Sequence, residues 1–540
     1  MRLVELNWED MLMENSLNRR QILSGAVALS LAGQFSSGAS AQSAKLRQSV
    51  SSASLRPQTL VSYKKAVTAM LALPPQDPRN WYRQAIIHVL DCPHGNWWFM
   101  PWHRGYLANF ESICRELSGD ADFALPYWDW SATPKIPPSL FEDVLSPSDS
   151  SFLENSAAFD AGFTTSLMAF FNSVTPLQRE WLNRRGFPDV DTLMSEIGGS
   201  LVDRQFARHL TAVSPDLPAF AQQAVAESYV RLCIKPDSAG EYSFTEFASE
   251  LTNDHYVGGT HSPIESGPHD NVHGGIDGLM GAFMSPVDPI FWMHHCNIDR
   301  IWDVWSRRQV RLGLRGFPDE AAWGAEPFPF FVDKAGNPLP SSKAADYSDI
   351  NSLAYSYEAG TGEDLAQPAL PFVALSGSEF SPLMASVQSL RTLREVNTAT
   401  RIPNDLLVAA RTDANDRSPE TTNQALNLLA QVTLKPPSEA ESYRVNVFAN
   451  CPYLSPFTPV EDPHFVGAIS FFGVAHHGKM RHDKELEVTY TLPLANTIKR
   501  LAAKSTPIRN QIKLQFMTIG ETGGVVELDG SLLKTVIKTT

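Results

Sequence analysis

The sequence predicts a mainly α-helical domain followed by a small β-sandwich, and three observations carry that prediction. Ten of the 14 histidines fall between His88 and His295, in segments whose apolar residues recur at helical spacing. The last hundred or so residues change to short, β-rich, partly alternating runs. Between them lies a polar stretch that includes Asp413-Ala-Asn-Asp-Arg-Ser-Pro-Glu and reads as a linker.

Composition agrees. The 540 residues are 43% hydrophobic and 19% charged, which is globular composition and enough chain for two to four domains. The formal net charge of −15 argues against a nucleic-acid partner, since phosphates need a basic face. Five scattered cysteines are too few for a disulfide scaffold.

Taken in order, the chain opens with Arg19-Arg20, a weakly apolar run Ile22–Gly33 and Ala39-Ser40-Ala41. That order reads as a twin-arginine export signal over residues 1–41, with a core too short to span a bilayer. An exported, periplasmic or secreted protein with no membrane segment in its mature form is expected. Asn109 to Leu117 reads as a helix through Phe110, Ile113, Cys114 and Leu117. Residues 132–160 read as a loop excursion, 165–235 as helical in patches, and 311–382 as long coil. Tyr443–Ala449, Phe465–Phe472, Leu486–Leu492 and Ile512–Ile519 read as strands. The resulting boundaries are a main domain over 42–390, a linker over 391–430 and a β-rich domain over 431–540.

The histidines carry the chemistry. His269 and His273 stand at i and i+4, on one helix face, where two imidazoles can meet one metal. His295 heads a second helical run and supplies a third ligand. His88, His94 and His103 make a second trio, with His103 heading the run to Leu117. Two imidazole trios without an intervening carboxylate suit copper or zinc, and copper heads the affinity order. His209, His255, His261, His464, His476, His477 and His482 read as satisfied core residues instead.

Phe99-Met-Pro-Trp-His-Arg-Gly-Tyr-Leu and Asp288-Pro-Ile-Phe-Trp-Met-His-His-Cys-Asn-Ile-Asp-Arg resemble the two copper signatures of the type 3 copper proteins, the tyrosinases, catechol oxidases and haemocyanins. The resemblance covers roughly residues 80–310 and more weakly the C-terminus. It implies a four-helix-bundle dicopper domain with long coil excursions, and two copper ions. His88, His94 and His103 would hold one; His269, His273 and His295 would hold the other, with His294 behind them. The implied function is oxidation of o-diphenols to o-quinones by O2, with ortho-hydroxylation of monophenols. A haemocyanin-like oxygen carrier is the alternative, and a dizinc hydrolase is disfavoured. Phenols and O2 are the implied partners; a homo-oligomer is left open.

Five finer expectations follow from the resemblance. Cys92-Pro93-His94 matches the Cys-x-His of fungal tyrosinases, implying a thioether between Cys92 and His94. Glu265, four residues before His269, implies a carboxylate that helps a water take the phenol proton. Asp270 stands where monophenol hydroxylases often carry Asn, and is a second candidate proton acceptor. The C-terminal domain resembles the lid of latent polyphenol oxidases, with Tyr453, Leu454 and Phe457 as candidate plugs. Phe283, in Ala282-Phe283-Met284, is among the residues expected to roof the second copper.

Overall fold

The computed structural model describes residues 44–366 apart from 202, 235–243, 257 and 319–320, and then 388–389, 394–401, 428–436, 443–472, 487–504, 511–520, 524 and 531–539. The expected export signal lies outside the described residues.

Three helices lead: α1 (Gln58–Ala72), α2 (Trp81–Asp91) and α3 (Phe99–Ser118). Helix α2 starts at Asn80, whose side chain accepts the Tyr82 and Arg83 N–H groups and satisfies two otherwise orphaned donors. Helix α3 ends at Gly119, whose φ of 71° is left-handed and free of strain only for glycine. It begins at Phe99, ten residues before the expected Asn109, because Pro101 falls in the first turn, where a missing N–H is harmless. His103 therefore sits one turn inside the helix.

An excursion follows through α4 (Ser156–Ser173), α5 (Pro176–Arg184), α6 (Val190–Ser200), α7 (Ala219–Val225), α8 (Glu227–Ile234) and α9 (Phe244–Ala248). A π-helical turn over Glu265–His269 then runs into α10 (Asp270–Ile276). Pro268 lies inside that turn and cannot donate to the ladder, which widens there. Helix α11 (Ile290–Arg311) carries His294 and His295 in its second turn, and the short α12 (Ala321–Ala325) enters the expected coil.

The strands are β1 (Lys45–Arg47), β2 (Thr260–His261), β3 (Tyr355–Tyr357), β4 (Gln388–Ser389), β5 (Arg394–Arg401), β6 (Leu428–Lys435), β7 (Tyr443–Ala449), β8 (Phe465–Ser470), β9 (Val488–Pro493), β10 (Gln511–Gly520) and β11 (Ser531–Thr539). Apart from the β1–β3 pair they form a four-stranded sheet, β5-β10-β7-β8, and a five-stranded sheet, β2-β9-β6-β11-β4. Leu428, Ala430, Val432 and Leu434 of β6 share one apolar core with Val445 and Val447 of β7 and Leu514 and Phe516 of β10. Helix α13 (Leu494–Ala503) adds Ile498 and Leu501 to it.

Strands occupy part of the segment 391–430 that reads as a linker, and residues 402–427 lie outside the described residues. The disguise of β5 is physical. It is an edge of its sheet, and its Arg-Glu-Val-Asn-Thr-Ala-Thr-Arg has the charged, polar character that edges carry. At the other sheet, β2 comes from the helical region and pairs in parallel with β9, so the helical region supplies an edge strand to a C-terminal sheet.

Candidate metal centre

Two helices and a loop deliver the first histidine group. His88 comes from α2, His103 from α3, and His94 from the loop between. Their ring centroids form a near-equilateral triangle, 5.9 Å from His88 to His94, 5.7 Å from His88 to His103 and 5.8 Å from His94 to His103. The second group forms a like triangle. His269 lies 4.7 Å from His273 and 5.1 Å from His295, and His273 lies 5.5 Å from His295. The triangles face each other: His103 and His295 stack at 4.3 Å, and His94 stands 5.4 Å from His269. Within each group the ligand atoms lie within 4.8 Å of one another.

The hydrogen bonds decide which nitrogen each ring offers. His88 Nδ1 donates to Phe283 O at 2.8 Å, His103 Nδ1 to Phe99 O at 2.8 Å, and His273 Nδ1 to Met280 O at 2.6 Å. A carbonyl only accepts, so these rings carry the proton on Nδ1 and a lone pair on Nε2. His269 Nδ1 is bound in turn by Asp270 Oδ1 at 2.8 Å. The Nε2 atoms of His88, His103 and His269 are buried with no protein partner. The Nε2 atoms of His273 and His295 face each other at 3.3 Å. Buried lone pairs aimed at a common point are costly unless something binds them, and a cation is what a trio of neutral imidazoles fits. Burial pushes His103 and His273 down to about 3, and His88, His269 and His295 well below the ordinary imidazole value, with like-charge neighbours adding to the fall. All five rings are neutral at neutral pH.

His294 lies beside the second group, 5.0 Å from His273, and neither of its ring nitrogens has a protein partner. His295 rather than His294 stacks on the opposite triangle.

The two carboxylates occupy different roles. Glu265 is fully buried; its Oε1 accepts the Gly95 N–H at 2.7 Å and its Oε2 accepts the Ser249 hydroxyl at 2.9 Å. It ties the His94 loop to the turn before His269. Burial pushes its carboxyl up to about 7. Asp270 does not present a free oxygen to the space between the triangles. Its Oδ1 holds His269 and its Oδ2 accepts His261 Nδ1–H at 2.8 Å. The carboxylate braces the His269 ring.

Cys92 is a buried thiol with Sγ 3.8 Å from His94 Nδ1, and none of the five cysteines is in a disulfide. Arg185 donates to Leu90 O and Cys92 O and so fixes the start of the loop. Asp299 receives Arg104 Nε at 2.6 Å and the hydroxyls of Tyr355 and Tyr357 at 2.6 Å; it ties α3, α11 and β3 together. Burial disfavours its charge, but Arg104 and Arg47 outweigh that and hold its pKa low.

The side chain that covers the histidines is Phe472, just after β8. Its ring stacks on His273 at 3.8 Å and stands 5.4 Å from both His94 and His269. Phe283 lies parallel to it at 6.0 Å. The expected plugs lie elsewhere. Phe457 is 92% exposed, Tyr453 is exposed and donates to Asp462, and Leu454 packs at the margin of the main core. A Pro-rich loop satisfies its own turns, whereas a strand end alternates faces. Ser470 donates to Asn271 on α10, and Phe472, two residues on, meets His273; Phe471 between them joins the C-terminal core. The signal was present in the Phe-Phe pair closing the β8 run.

Residues 72–308 match the common central domain of tyrosinase. The chain is 28% identical over 378 residues to a tyrosinase from Hahella sp. (strain CCB-MM4), covering 62% of this chain and 69% of that protein. It is 30% identical to the chloroplastic polyphenol oxidase A1 of Vicia faba, over 55% of this chain and 45% of that longer protein. The fold resembles that of a latent aurone synthase, with a TM-score of 0.55 at 19% identity, over 92% of this chain and 90% of the other. Residues 72–308, which carry both histidine triangles, are thus similar to the central domain of the tyrosinases, type 3 copper proteins whose members carry a binuclear copper centre.

Proposed function

We propose that the chain is a polyphenol oxidase of the tyrosinase kind, which oxidises o-diphenols to o-quinones with O2 and hydroxylates monophenols ortho to their hydroxyl. The observation that carries this is the pair of facing imidazole triangles with neutral rings and inward Nε2 lone pairs. His88, His94 and His103 hold one copper, and His269, His273 and His295 the other, with His294 behind the second. The copper pair supplies the capacity to bind O2 and take two electrons from each diphenol, so that two diphenols and one O2 give two quinones and two waters.

The protein supplies the rest. Phe99, Phe283 and Phe291 keep water from the centre. Glu265, poised near neutral pH, accepts the phenol proton through a water. The Cys92–His94 contact is read as the site of a thioether that would fix the His94 ring. Helices α2, α3, α10 and α11 are read as the four-helix bundle, the two C-terminal sheets as a β-sandwich lid, and Phe472 as its plug. The arginine pair at Arg19-Arg20 is read as an export signal; among the described residues no helix is long and apolar enough to cross a membrane.

The test is O2 uptake by copper-loaded full-length protein with a monophenol and with the matching o-diphenol, before and after limited proteolysis between the domains. Turnover of the diphenol that rises after proteolysis is expected. Reversible O2 binding with no turnover in either state would replace the enzyme with a carrier.

A further inference from the structure

His261 stands outside the six proposed ligands, and as a single histidine near a polar stretch it reads as a core residue. The structure gives it a specific neighbourhood. It is buried, and its Nδ1 donates to Asp270 Oδ2 at 2.8 Å, while the other oxygen of Asp270 accepts Nδ1–H of His269 at 2.8 Å. A carboxylate held between two imidazole N–H groups has little freedom to rotate. It fixes the His269 ring and its tautomer, leaving Nε2 to face the metal.

The chain of contacts continues outward into the C-terminal domain. His261 ends β2, whose register sets it opposite Tyr490 of β9, and the two rings lie 5.1 Å apart. The Thr489 N–H donates to Gly259 O at 2.7 Å, and Ser266 Oγ, in the π-helical turn, donates to Thr491 O at 2.7 Å. The same short segment thus serves as an edge strand of a lid sheet and as the support of a metal-site carboxylate.

We propose that His261 is a positioning residue through which docking of the C-terminal domain reaches the second metal site. Strand β9 holds β2, β2 holds His261, His261 holds Asp270, and Asp270 holds His269. Undocking the lid then does more than withdraw Phe472 from His273. It also loosens His269, one ligand of the second metal.

This inference rests on the assignment of His269, His273 and His295 as one metal's ligands, and the experiment separates the two. The full-length chain carrying His88→Ala and His103→Ala retains only the second group, and Co(II) titration followed by visible absorption reads its affinity and geometry. In that background His261→Phe is expected to weaken Co(II) binding about 10- to 100-fold, the usual effect of removing a partner behind a ligand. His261→Asn, which keeps an N–H donor, is expected to recover most of the loss. Tyr490→Leu, which removes the β9 ring packed on His261, is expected to weaken binding in the same direction, and it keeps the test open if His261→Phe does not fold. Equal Co(II) affinity in parent, His261→Phe and Tyr490→Leu would overturn the coupling. No Co(II) binding by the parent would overturn the ligand assignment itself, and the coupling with it.

Discussion

At the residue scale, His88, His103, His269 and His273 are each held through Nδ1, which leaves Nε2 to face its neighbours. The six histidines were legible in the sequence because two trios at these spacings, each meeting an aromatic helix, carry a strong signal. The residues behind them were not, because a hydrogen-bond partner leaves no spacing pattern. His255, read as a core residue, shows the same lack of pattern. Its Nδ1 meets Glu326 at 2.6 Å and its Nε2 meets Asp91 at 3.1 Å. Burial opposes its charge, yet the two carboxylates outweigh burial and raise its pKa. Glu265 gives a prediction with a sign. In the metal-free protein burial lifts its pKa from 4.5 to about 7. The folded chain then keeps a proton that the unfolded chain has released, so this group's contribution to stability falls as pH rises between those values, by up to about 3 kcal/mol. Denaturant unfolding of metal-free Glu265→Gln should lose that fall relative to the parent; parallel pH profiles would show that Glu265 does not titrate there. Phe472 gives a second. Burying a phenylalanine contributes roughly 1.5–3 kcal/mol, which makes an open site about 10- to 100-fold rarer. Phe472→Ala in the intact chain should lower the apparent KM for an o-diphenol by a factor in that range, and an unchanged KM would remove Phe472 from the role of plug.

At the element scale, the loop carrying His94 is fixed by close backbone approach rather than by a helix. Gly95 has φ +65°, and a Cβ on Gly258 would stand 1.8 Å from His94 O. Gly258→Ala must therefore push the His94 loop away. The expected result is loss of one of two bound coppers per chain with the second group still loaded, read by metal analysis; two coppers retained would show that the loop yields without cost. The same scale explains the mixed legibility of the strands. Strands β7, β8, β9 and β10 show in the sequence because they carry dense apolar runs. The polar edge β5 was hidden, and so was β6, whose alternation of Leu428, Ala430, Val432 and Leu434 adjoins a polar stretch. The π-helical turn before α10 was hidden as well, since Pro268 marks a break in the ladder but not its kind.

At the scale of the whole molecule, the C-terminal domain and the metal centre are built as one object. Strand β2 completes a C-terminal sheet, Asn271 donates to Ala468 O on β8, and Phe472 covers His273. Metal binding to the folded state alone should stabilise it by about 2.7 kcal/mol at a free concentration 100 times the dissociation constant. Chelation should lower the thermal midpoint accordingly, and a midpoint indifferent to metal would argue against a preformed site. The measurement that bears most directly on the account is copper content per chain in the full-length protein and in single histidine variants. Two coppers are predicted for the parent and for His294→Ala, and about one for His103→Ala and for His295→Ala. A parent that holds fewer than two, or a His294→Ala variant that loses one while His295→Ala keeps both, would contradict the assignment of the centre.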